Sequence, residues 1–276
     1  MTGETYEIFE KKIKTIQSIG DVRELLHWDQ HVMMPEKGIT ARSRQNSELA
    51  KIYHQKITSN DLSNILEDLE ADIHDRREKA NIREVKREHK RASKVPEEIE
   101  EKISQKESTT VEMWEEAREQ EDFSVVAEDL KELVELKRKY ADAINPDEEP
   151  YKVLFKDYEP YIRYETMEKI LERLRGELAD LLEGIKSSED VQGRAFRGEF
   201  DEEGQMRISR KIVDQMGYDW DRGRLDVSEH PFTLGNQFDC RITTRFDEEN
   251  PAESIGGTVH ECGHELYELG LPQDLY

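Results

Sequence analysis

The apolar residues in the first two-thirds of the chain recur at three- and four-residue steps, as on one face of an amphipathic helix. Two stripes show this most clearly: Tyr6, Phe9, Ile13, Ile16 and Ile19, and then Met167, Ile170, Leu171, Leu174, Leu178, Leu181 and Leu182. Such stripes are far more often core than ligand pocket. We therefore expect helices that bury these faces.

Helix breakers divide this part of the chain. Gly20-Asp21 offers a break and an N-cap after the first stripe, and Met34-Pro35 must end the second helix. The mixed charges of 76–91 indicate a solvated helix face, with a basic binding patch as the minor alternative. The predicted helices cover 6–19, 22 to before Met34, 40–52, 60–95, a segment that starts at Pro96 and includes Trp114, 123–140, and 167–182.

Glycines crowd the chain after residue 191, which indicates turns, and 241–246 has the composition of a β-strand. No repeat or low-complexity linker separates this region from the helices. We therefore predict a mainly α, multi-helix fold with a small β region. It would form a single domain over 1–276, with 1–190 helical and 191–276 carrying the groove and the metal-binding helix.

The charge balance excludes some partners. The chain has 41 basic and 64 acidic side chains, a formal net charge of −23, so nucleic acid and acidic membrane surfaces would be repelled. No apolar run approaches 18 residues, and we expect neither a transmembrane helix nor a signal peptide. The two cysteines, Cys240 and Cys262, exclude a disulfide framework. We therefore expect a cytoplasmic protein.

The most informative stretch is His260-Glu261-Cys262-Gly263-His264. Histidines four apart on a helix share one face, so both imidazoles can reach one metal ion. Glu261 follows the first histidine and can take a proton from water whose pKa the metal has lowered. This is the HExxH arrangement of zinc peptidases, with zinc on His260 and His264 and Glu261 as general base.

Other interpretations of this stretch remain open. The two histidines can instead be packed in a core. Cys262 lies two positions from each histidine, which turns it to the other side of the helix and favours a packing role; the role of Cys240 stays undecided. Gly256-Gly257 indicates the start of the helix and Gly270-Leu271-Pro272 its end. The strand just before this helix would suit a peptidase, because a free strand edge can hold an extended substrate.

The sequence resembles the thermostable metallocarboxypeptidases related to Taq carboxypeptidase over nearly its whole length. Val32 and Tyr161 depart from that pattern, where a threonine and a glycine are usual. The matching motifs are Trp28-Asp29-Gln30 with Met34-Pro35, Gly38 and Arg42; Trp114, Ala117-Arg118 and Asp122-Phe123; Tyr151, Leu154 and Asp157-Tyr158-Glu159-Pro160; Gly223-Arg224-Leu225-Asp226; His230-Pro231-Phe232; Asp239-Cys240-Arg241-Ile242-Thr243; and the HExxH run.

The resemblance implies a helical fold with a deep groove, usually as a homodimer, and zinc- or cobalt-supported removal of C-terminal residues with broad specificity. It places His230 and Arg241 in the motifs that line the substrate groove. An arginine can bind the free α-carboxylate of a peptide through two parallel hydrogen bonds. The alternatives are an ion pair of Arg241 with Asp239 and a packing or supporting role for His230.

The resemblance also implies that the third metal ligand is a glutamate downstream of the HExxH helix. The chain ends at Tyr276, twelve residues after His264. Glu268 lies about 12 Å from His260 along the helix axis, Glu265 is turned away by about 100°, and Asp274 would be strained. We expect a fragment that binds metal weakly, catalyses poorly and leaves apolar helix faces uncovered.

Two further hypotheses compete with a metallocarboxypeptidase. An HExxH endopeptidase or aminopeptidase would not need to recognise a free C-terminus. A helical interaction protein, with an incidental histidine pair, would use its charged helices to bind partners. The native metal, the preferred C-terminal residue and the physiological substrate do not follow from the sequence.

Overall fold

A computed structural model describes residues 2–70, 75–187 and 198–276. The mainly α fold with a small sheet beside the HExxH helix is confirmed. The elements are α1 Thr2–Val32, α2 Ile39–Ile57, α3 Asn60–Glu70, α4 Arg76–Ala92, α5 Glu97–Glu119, α6 Ser124–Ile144, α7 Pro150–Tyr158, α8 Tyr164–Ser187, α9 Glu202–Met216, β1 Gly223–Val227, β2 Thr233–Gly235, β3 Cys240–Thr244 and α10 Pro251–Leu269. In this part of the chain no helix is both long and apolar enough to cross a membrane.

The predicted break at Gly20-Asp21 is wrong, because α1 runs without interruption from Thr2 to Val32. A single glycine costs a helix only about 1 kcal/mol relative to alanine. Packing along the whole length of α1, in which Phe9, Ile16 and Trp28 are buried, outweighs that cost. Asp21 does not cap a helix; its carboxylate accepts a hydrogen bond from the Gln17 side chain at 3.0 Å.

The predicted helix over 60–95 is two helices, α3 and α4. The second begins at an N-cap, because the Asp75 carboxylate accepts hydrogen bonds from the backbone N–H groups of Arg77 and Glu78. The first stripe does form a core with these helices, as predicted. The buried residues of this core are Tyr6, Phe9, Ile16, Ile57, Leu62, Leu66, Leu69 and Ile82.

The N-terminal family motif joins α1 to its neighbours. Arg42 on α2 is buried and forms an ion pair with Asp29 on α1. Gln30 donates to the backbone carbonyl of Ser108 on α5 at 3.2 Å. At Gly38, a Cβ atom would lie 2.6 Å from the Met34 side chain, so any larger residue would require that side chain to move. These contacts of the motif hold α1 against α2 and α5.

The second stripe departs from the expectation of a buried core. No described residue of α8 is buried, and its leucine and isoleucine side chains are about half exposed. The helix forms because its sequence has the right period, but nothing in the described part of the chain packs over its apolar face. The sequence led us to expect apolar helix faces that are left uncovered, and α8 has such a face.

The three strands form one sheet in the order β1-β3-β2. β3 pairs with β1 in parallel and with β2 in antiparallel orientation. The strand predicted over 241–246 is therefore central and has no free edge of its own. The free edges belong to β1 and β2.

A network of buried hydroxyl groups fixes α10 to the sheet and to α9. The hydroxyls of Thr258 on α10 and Thr244 on β3 are 2.8 Å apart. Thr258 also donates to the Ser254 carbonyl at 2.8 Å, and the Ser254 hydroxyl donates to Gln205 on α9 at 2.6 Å. Because buried polar groups are costly when unpaired, these contacts set the position of α10 along β3.

Replacing Thr258 with valine tests this network. The variant keeps the shape of the side chain but leaves the buried Thr244 hydroxyl with fewer partners. We expect the free energy of unfolding to fall by about 1–3 kcal/mol, measured by urea denaturation. The exposed Thr15 on α1 offers the same substitution as a control; equal stability of the two variants would contradict a structural role for the network.

Candidate active site

The helix that carries the HExxH residues starts five residues before the predicted Gly256-Gly257 boundary. Pro251 opens α10, since proline suits the first turn of a helix. A Cβ atom at Gly257 would lie 3.4 Å from the ring of Pro231, an ordinary van der Waals distance, so the segment containing Pro231 lies directly against α10. The predicted end of the helix at Gly270 agrees with the structure.

His260 and His264 project together from the exposed side of α10. Their Nε2 atoms are 3.1 Å apart, and their rings meet at 77° with centroids 4.8 Å apart. Two nitrogens bound to one tetrahedral zinc ion would be separated by about 3.3 Å at Zn–N distances of about 2.05 Å. The pair therefore fits a shared metal ion. Without metal, one Nε2–H can donate to the other Nε2.

Glu261 lies beside this pair and is buried, with 8% of its surface exposed. The Thr233 hydroxyl on β2 lies 2.7 Å from Glu261 Oε2 and 2.9 Å from the Glu261 carbonyl oxygen. The hydroxyl can donate to either oxygen, so it orients the carboxylate relative to the strand. One carboxylate oxygen, Oε1, is left for another partner.

An open cleft of about 420 Å³ lies between α1, β2 and α10. Glu261 and His264 line one side, and all three residues of β2 line another. Glu24 of α1 closes the cleft; its pKa is raised by burial and by Asp21, and a hydrogen bond from the Gly235 backbone opposes this rise. The remaining lining residues are His230, Pro231, Phe232, Tyr267 and Glu268.

The structure brings His230 into this cleft but holds Arg241 outside it. Arg241 lines a neighbouring cleft of about 630 Å³ together with Trp28 and Asp239. Its Nε and Nη2 atoms donate to the two carboxylate oxygens of Asp239 at 2.8 and 2.6 Å. The guanidinium that would bind a substrate carboxylate thus already has a carboxylate partner.

A second arginine repeats this arrangement. Arg224 on β1 is the register neighbour of Arg241 on β3, and it forms a two-point ion pair with Asp226. Both guanidinium groups lie over the Trp28 ring, at 4.6 and 4.4 Å from its centroid. These cation–π contacts fasten α1 to the sheet, and they give Arg241 a structural role in addition to any role with substrate.

His27 and His31 lie four residues apart on α1 and belong to none of the motifs recognised in the sequence. Both rings are 5.6 Å from the ring of Phe232, which lines the cleft. His31 Nδ1 is 3.4 Å from a carboxylate oxygen of Glu115 on α5. The spacing of the two histidines was a visible signal, but only the fold shows that they face the His-Pro-Phe motif.

None of the local carboxylates considered as a third ligand joins the histidine pair. Asp274 pairs with Arg77 at 3.5 Å, and Glu265 is fully buried with neither carboxylate oxygen hydrogen-bonded. Glu268 lines the cleft, and burial raises its pKa. Among the residues that the structure describes, no three His, Cys, Asp or Glu side chains form a group able to hold a metal ion.

Both cysteines are buried and free. Cys262 packs among the apolar side chains beneath α10, consistent with the packing role expected for it. Burial raises the pKa of the thiol to about 11 for Cys262 and to about 12 for Cys240, and Glu265 adds to both shifts. The thiols are therefore protonated near neutral pH.

A helical fold, a histidine pair spaced for one metal ion, a buried glutamate beside it and a cleft bordered by a strand are features typical of metallopeptidases. The chain belongs to the Carboxypeptidase Taq (M32) metallopeptidase family, whose model matches residues 8–276.

Known proteins agree with this assignment. The chain is 29% identical to carboxypeptidase 1 of Bacillus subtilis (strain 168) over 276 residues, 98% of this chain and 55% of that protein. It is 32% identical to thermostable carboxypeptidase 1 of Thermus thermophilus, over 96% of this chain and 54% of that protein. The crystal structure of BsuCP superposes with a TM-score of 0.93 at 28% identity, over 99% of this chain and 56% of that one. The chain thus spans about half the length of the relatives it matches.

Proposed function

We propose that this chain carries the catalytic helix of a metallocarboxypeptidase that removes C-terminal residues from peptides with broad specificity. The observation that carries the proposal is the 3.1 Å separation of the His260 and His264 Nε2 atoms, with Glu261 adjacent to them. His260 and His264 would hold zinc, or cobalt. When bound, such an ion lowers the pKa of a coordinated water and polarises the peptide carbonyl.

In this mechanism Glu261 is the general base. Its carboxylate accepts a proton from the attacking water and later delivers that proton to the leaving amine. The hydrogen bond from Thr233 supports this role, because it leaves Oε1 for the water and holds the carboxylate toward β2. Glu261 is also buried, so bulk water has little access to its carboxylate.

The free edge of β2 is a suitable place for the substrate backbone. It borders the cleft beside Glu261, and an extended peptide can pair with such an edge through main-chain hydrogen bonds. His230 lies in the same cleft and is proposed to contact the peptide. Arg241 is proposed to bind the terminal carboxylate, which requires it to share or release Asp239.

The third metal ligand is proposed to come from the part of the family architecture that this chain does not match. The same proposal includes a homodimeric assembly, which the family resemblance implies. The acidic charge and the reduced cysteines favour peptides over nucleic acid or membranes as partners, and a cytoplasmic location.

One experiment tests the activity. The chain is compared with an extended chain, in which the portion of the Bacillus subtilis carboxypeptidase 1 outside the match is joined after Tyr276. Both are incubated with a peptide and Zn²⁺ or Co²⁺, and released amino acids are followed by mass spectrometry. Stepwise loss of C-terminal residues by the extended chain is expected. Absence of metal-dependent cleavage by both forms would reject the enzyme proposal.

The ion pair between Arg241 and Asp239 favours a second candidate, an HExxH endopeptidase. A peptide with an amidated C-terminus separates the two, because only a carboxypeptidase needs the free carboxylate. Arg241→Ala should raise KM for the free acid if the arginine binds substrate. Equal cleavage of the acid and the amide, with no effect of Arg241→Ala on KM, would favour the endopeptidase.

Thr233 offers a further prediction for the extended chain. Thr233→Val removes the hydroxyl that orients Glu261, and hydrogen bonds to charged groups contribute about 1.5–3 kcal/mol. We expect kcat to fall at least about tenfold with little change in KM. Thr233→Ser keeps the hydroxyl and should retain most of the activity. Equal loss in both variants would contradict this prediction, because serine keeps the hydroxyl that valine lacks.

A further inference from the structure

A cleft of about 290 Å³ lies in the helical part of the chain, bordered by α1, α2, α4, α5, α6 and α7. None of the described residues that line it belongs to the sheet or to α10, so the proposed catalysis gives it no role. Its charged lining residues are Arg23, Arg87, Arg91, Glu88, Glu100 and Asp157. The two signs balance here, although the whole chain has a formal net charge of −23.

Four of these six charges already have partners within the protein. Arg91 Nη2 donates to Asp157 Oδ1 at 2.5 Å, and the Tyr53 hydroxyl donates to Glu88 Oε1 at 2.5 Å. Arg87 Nε lies 3.5 Å from a carboxylate oxygen on its own helix. These contacts hold the helices around the cleft and leave two charges for another partner.

The two remaining charges are Arg23 on α1 and Glu100 on α5. In the part of the chain that the structure describes, neither side chain forms a salt bridge or a hydrogen bond. The Arg23 guanidinium lies over the Tyr53 ring, 5.7 Å from its centroid. Burial raises the pKa of Glu100, while His54, Lys137 and Arg23 act in the opposite direction. An anion beside Arg23 and a cation beside Glu100 would complete both groups.

One small zwitterion supplies both charges. We propose that this cleft binds a free α-amino acid, with its carboxylate on the guanidinium of Arg23 and its ammonium group on the carboxylate of Glu100. Arginine binds carboxylates through two parallel hydrogen bonds. The rings of Tyr53 and Tyr140 and the side chain of Ile57 also line the cleft, and they contact an apolar side chain of the ligand.

Size and charge both favour this class of ligand. Pockets for drug-sized molecules measure roughly 300–1,000 Å³, so this cleft suits a molecule of amino-acid size. A simple anion would neutralise Arg23 but leave Glu100 as an uncompensated, partly buried charge, which is costly. Free amino acids are the products of the peptidase proposed above. Their role as products rests on that proposed function, whereas binding in the cleft does not.

Calorimetric titration of the metal-free chain tests the binding with four probes. L-leucine carries both charges, N-acetyl-L-leucine lacks the ammonium group, L-leucinamide lacks the carboxylate, and inorganic phosphate is an anion alone. We expect saturable binding of L-leucine with a Kd of about 1 mM or below. N-acetyl-L-leucine, L-leucinamide and phosphate should each bind at least tenfold more weakly.

Variants locate the ligand. Arg23→Gln and Glu100→Gln should each weaken L-leucine binding at least tenfold, whereas Arg23→Lys keeps the positive charge and should weaken it less than Arg23→Gln. Arg44→Gln, at an exposed position on α2, is the control and should bind as the wild type does. Arg241→Ala should also retain binding, because Arg241 lines a different cleft. Circular dichroism checks that each variant is folded.

Three results would overturn the proposal. The first is no saturable binding of L-leucine, or equal binding of L-leucine and its two derivatives. The second is phosphate binding tighter than L-leucine and lost in Arg23→Gln, which would identify a simple anion site. The third is loss of L-leucine binding in Arg241→Ala but not in Arg23→Gln, which would place the ligand beside the sheet. Peptide hydrolysis is not measured, so failure of this proposal and failure of the proposed function remain distinguishable.

Discussion

Glu261→Gln is expected to reduce hydrolysis of C-terminal peptide bonds by the extended chain by about 10²–10⁴-fold, the usual effect of losing a general base. Glutamine fills the same buried position and can still accept a hydrogen bond from Thr233. It cannot take a proton from the attacking water. The effect should therefore appear in kcat, with KM for the peptide almost unchanged.

Measuring Zn²⁺ binding shows whether Glu261→Gln loses activity because the base is gone or because the metal site is disturbed. His260 and His264 remain in Glu261→Gln, so calorimetric titration with Zn²⁺ should give the wild-type stoichiometry. His264→Gln should instead lose the metal and the activity together. Glu253→Gln, at an exposed position in the first turn of the same helix, should leave both unchanged. Activity of Glu261→Gln within a factor of three of wild type would remove the general-base assignment.

The second large effect concerns Glu265, on the buried side of α10. Its side chain is fully buried without a hydrogen-bond partner, and burial raises its pKa from 4.5 to about 7, while Arg222 acts in the opposite direction. The folded state therefore binds a proton more tightly than the unfolded state. The stability from this group is fully present below pH 4.5 and is lost as the pH rises through 7. The shift corresponds to about 3 kcal/mol.

Glu265→Gln removes this titration while keeping the size of the side chain. The free energy of unfolding of the wild type, measured relative to Glu265→Gln in metal-free buffer, should fall by about 3 kcal/mol between pH 4.5 and pH 8. Subtracting the variant cancels the histidine titrations that both proteins share. Glu253→Gln should follow the wild type at every pH. Parallel pH profiles for wild type and Glu265→Gln would contradict the raised pKa.

The parts of the site that depend on local geometry were predictable from the sequence. The spacing of His260 and His264 is enough to place both rings on one face, because helix geometry decides it. Periodicity likewise predicted most helices. It failed at Gly20, where the helix continues because packing along α1 outweighs the weak preference of one glycine.

The parts that depend on distant contacts were not predictable. The stripe on α8 has the period of a core helix, but only the fold shows that it is uncovered. The sequence alone allows either a substrate carboxylate or Asp239 as the partner of Arg241. The fold shows that Arg241 pairs with Asp239 and lies over the Trp28 ring. Thr233 belongs to no sequence motif that we recognised, and its contact with Glu261 depends on how β2 meets α10.

The stacking of Arg224 and Arg241 over Trp28 gives the molecule an internal optical reporter. Trp28 is 4% exposed, whereas the other two tryptophans, Trp114 and Trp220, are partly exposed. An indole buried under two cations emits at shorter wavelength than one in contact with water. Because Trp28 stands where α1 meets the sheet, separation of the two walls of the cleft would expose it and shift its fluorescence to the red. With Trp114 and Trp220 replaced by phenylalanine, emission from this one residue would follow movement of α1 against the sheet in real time.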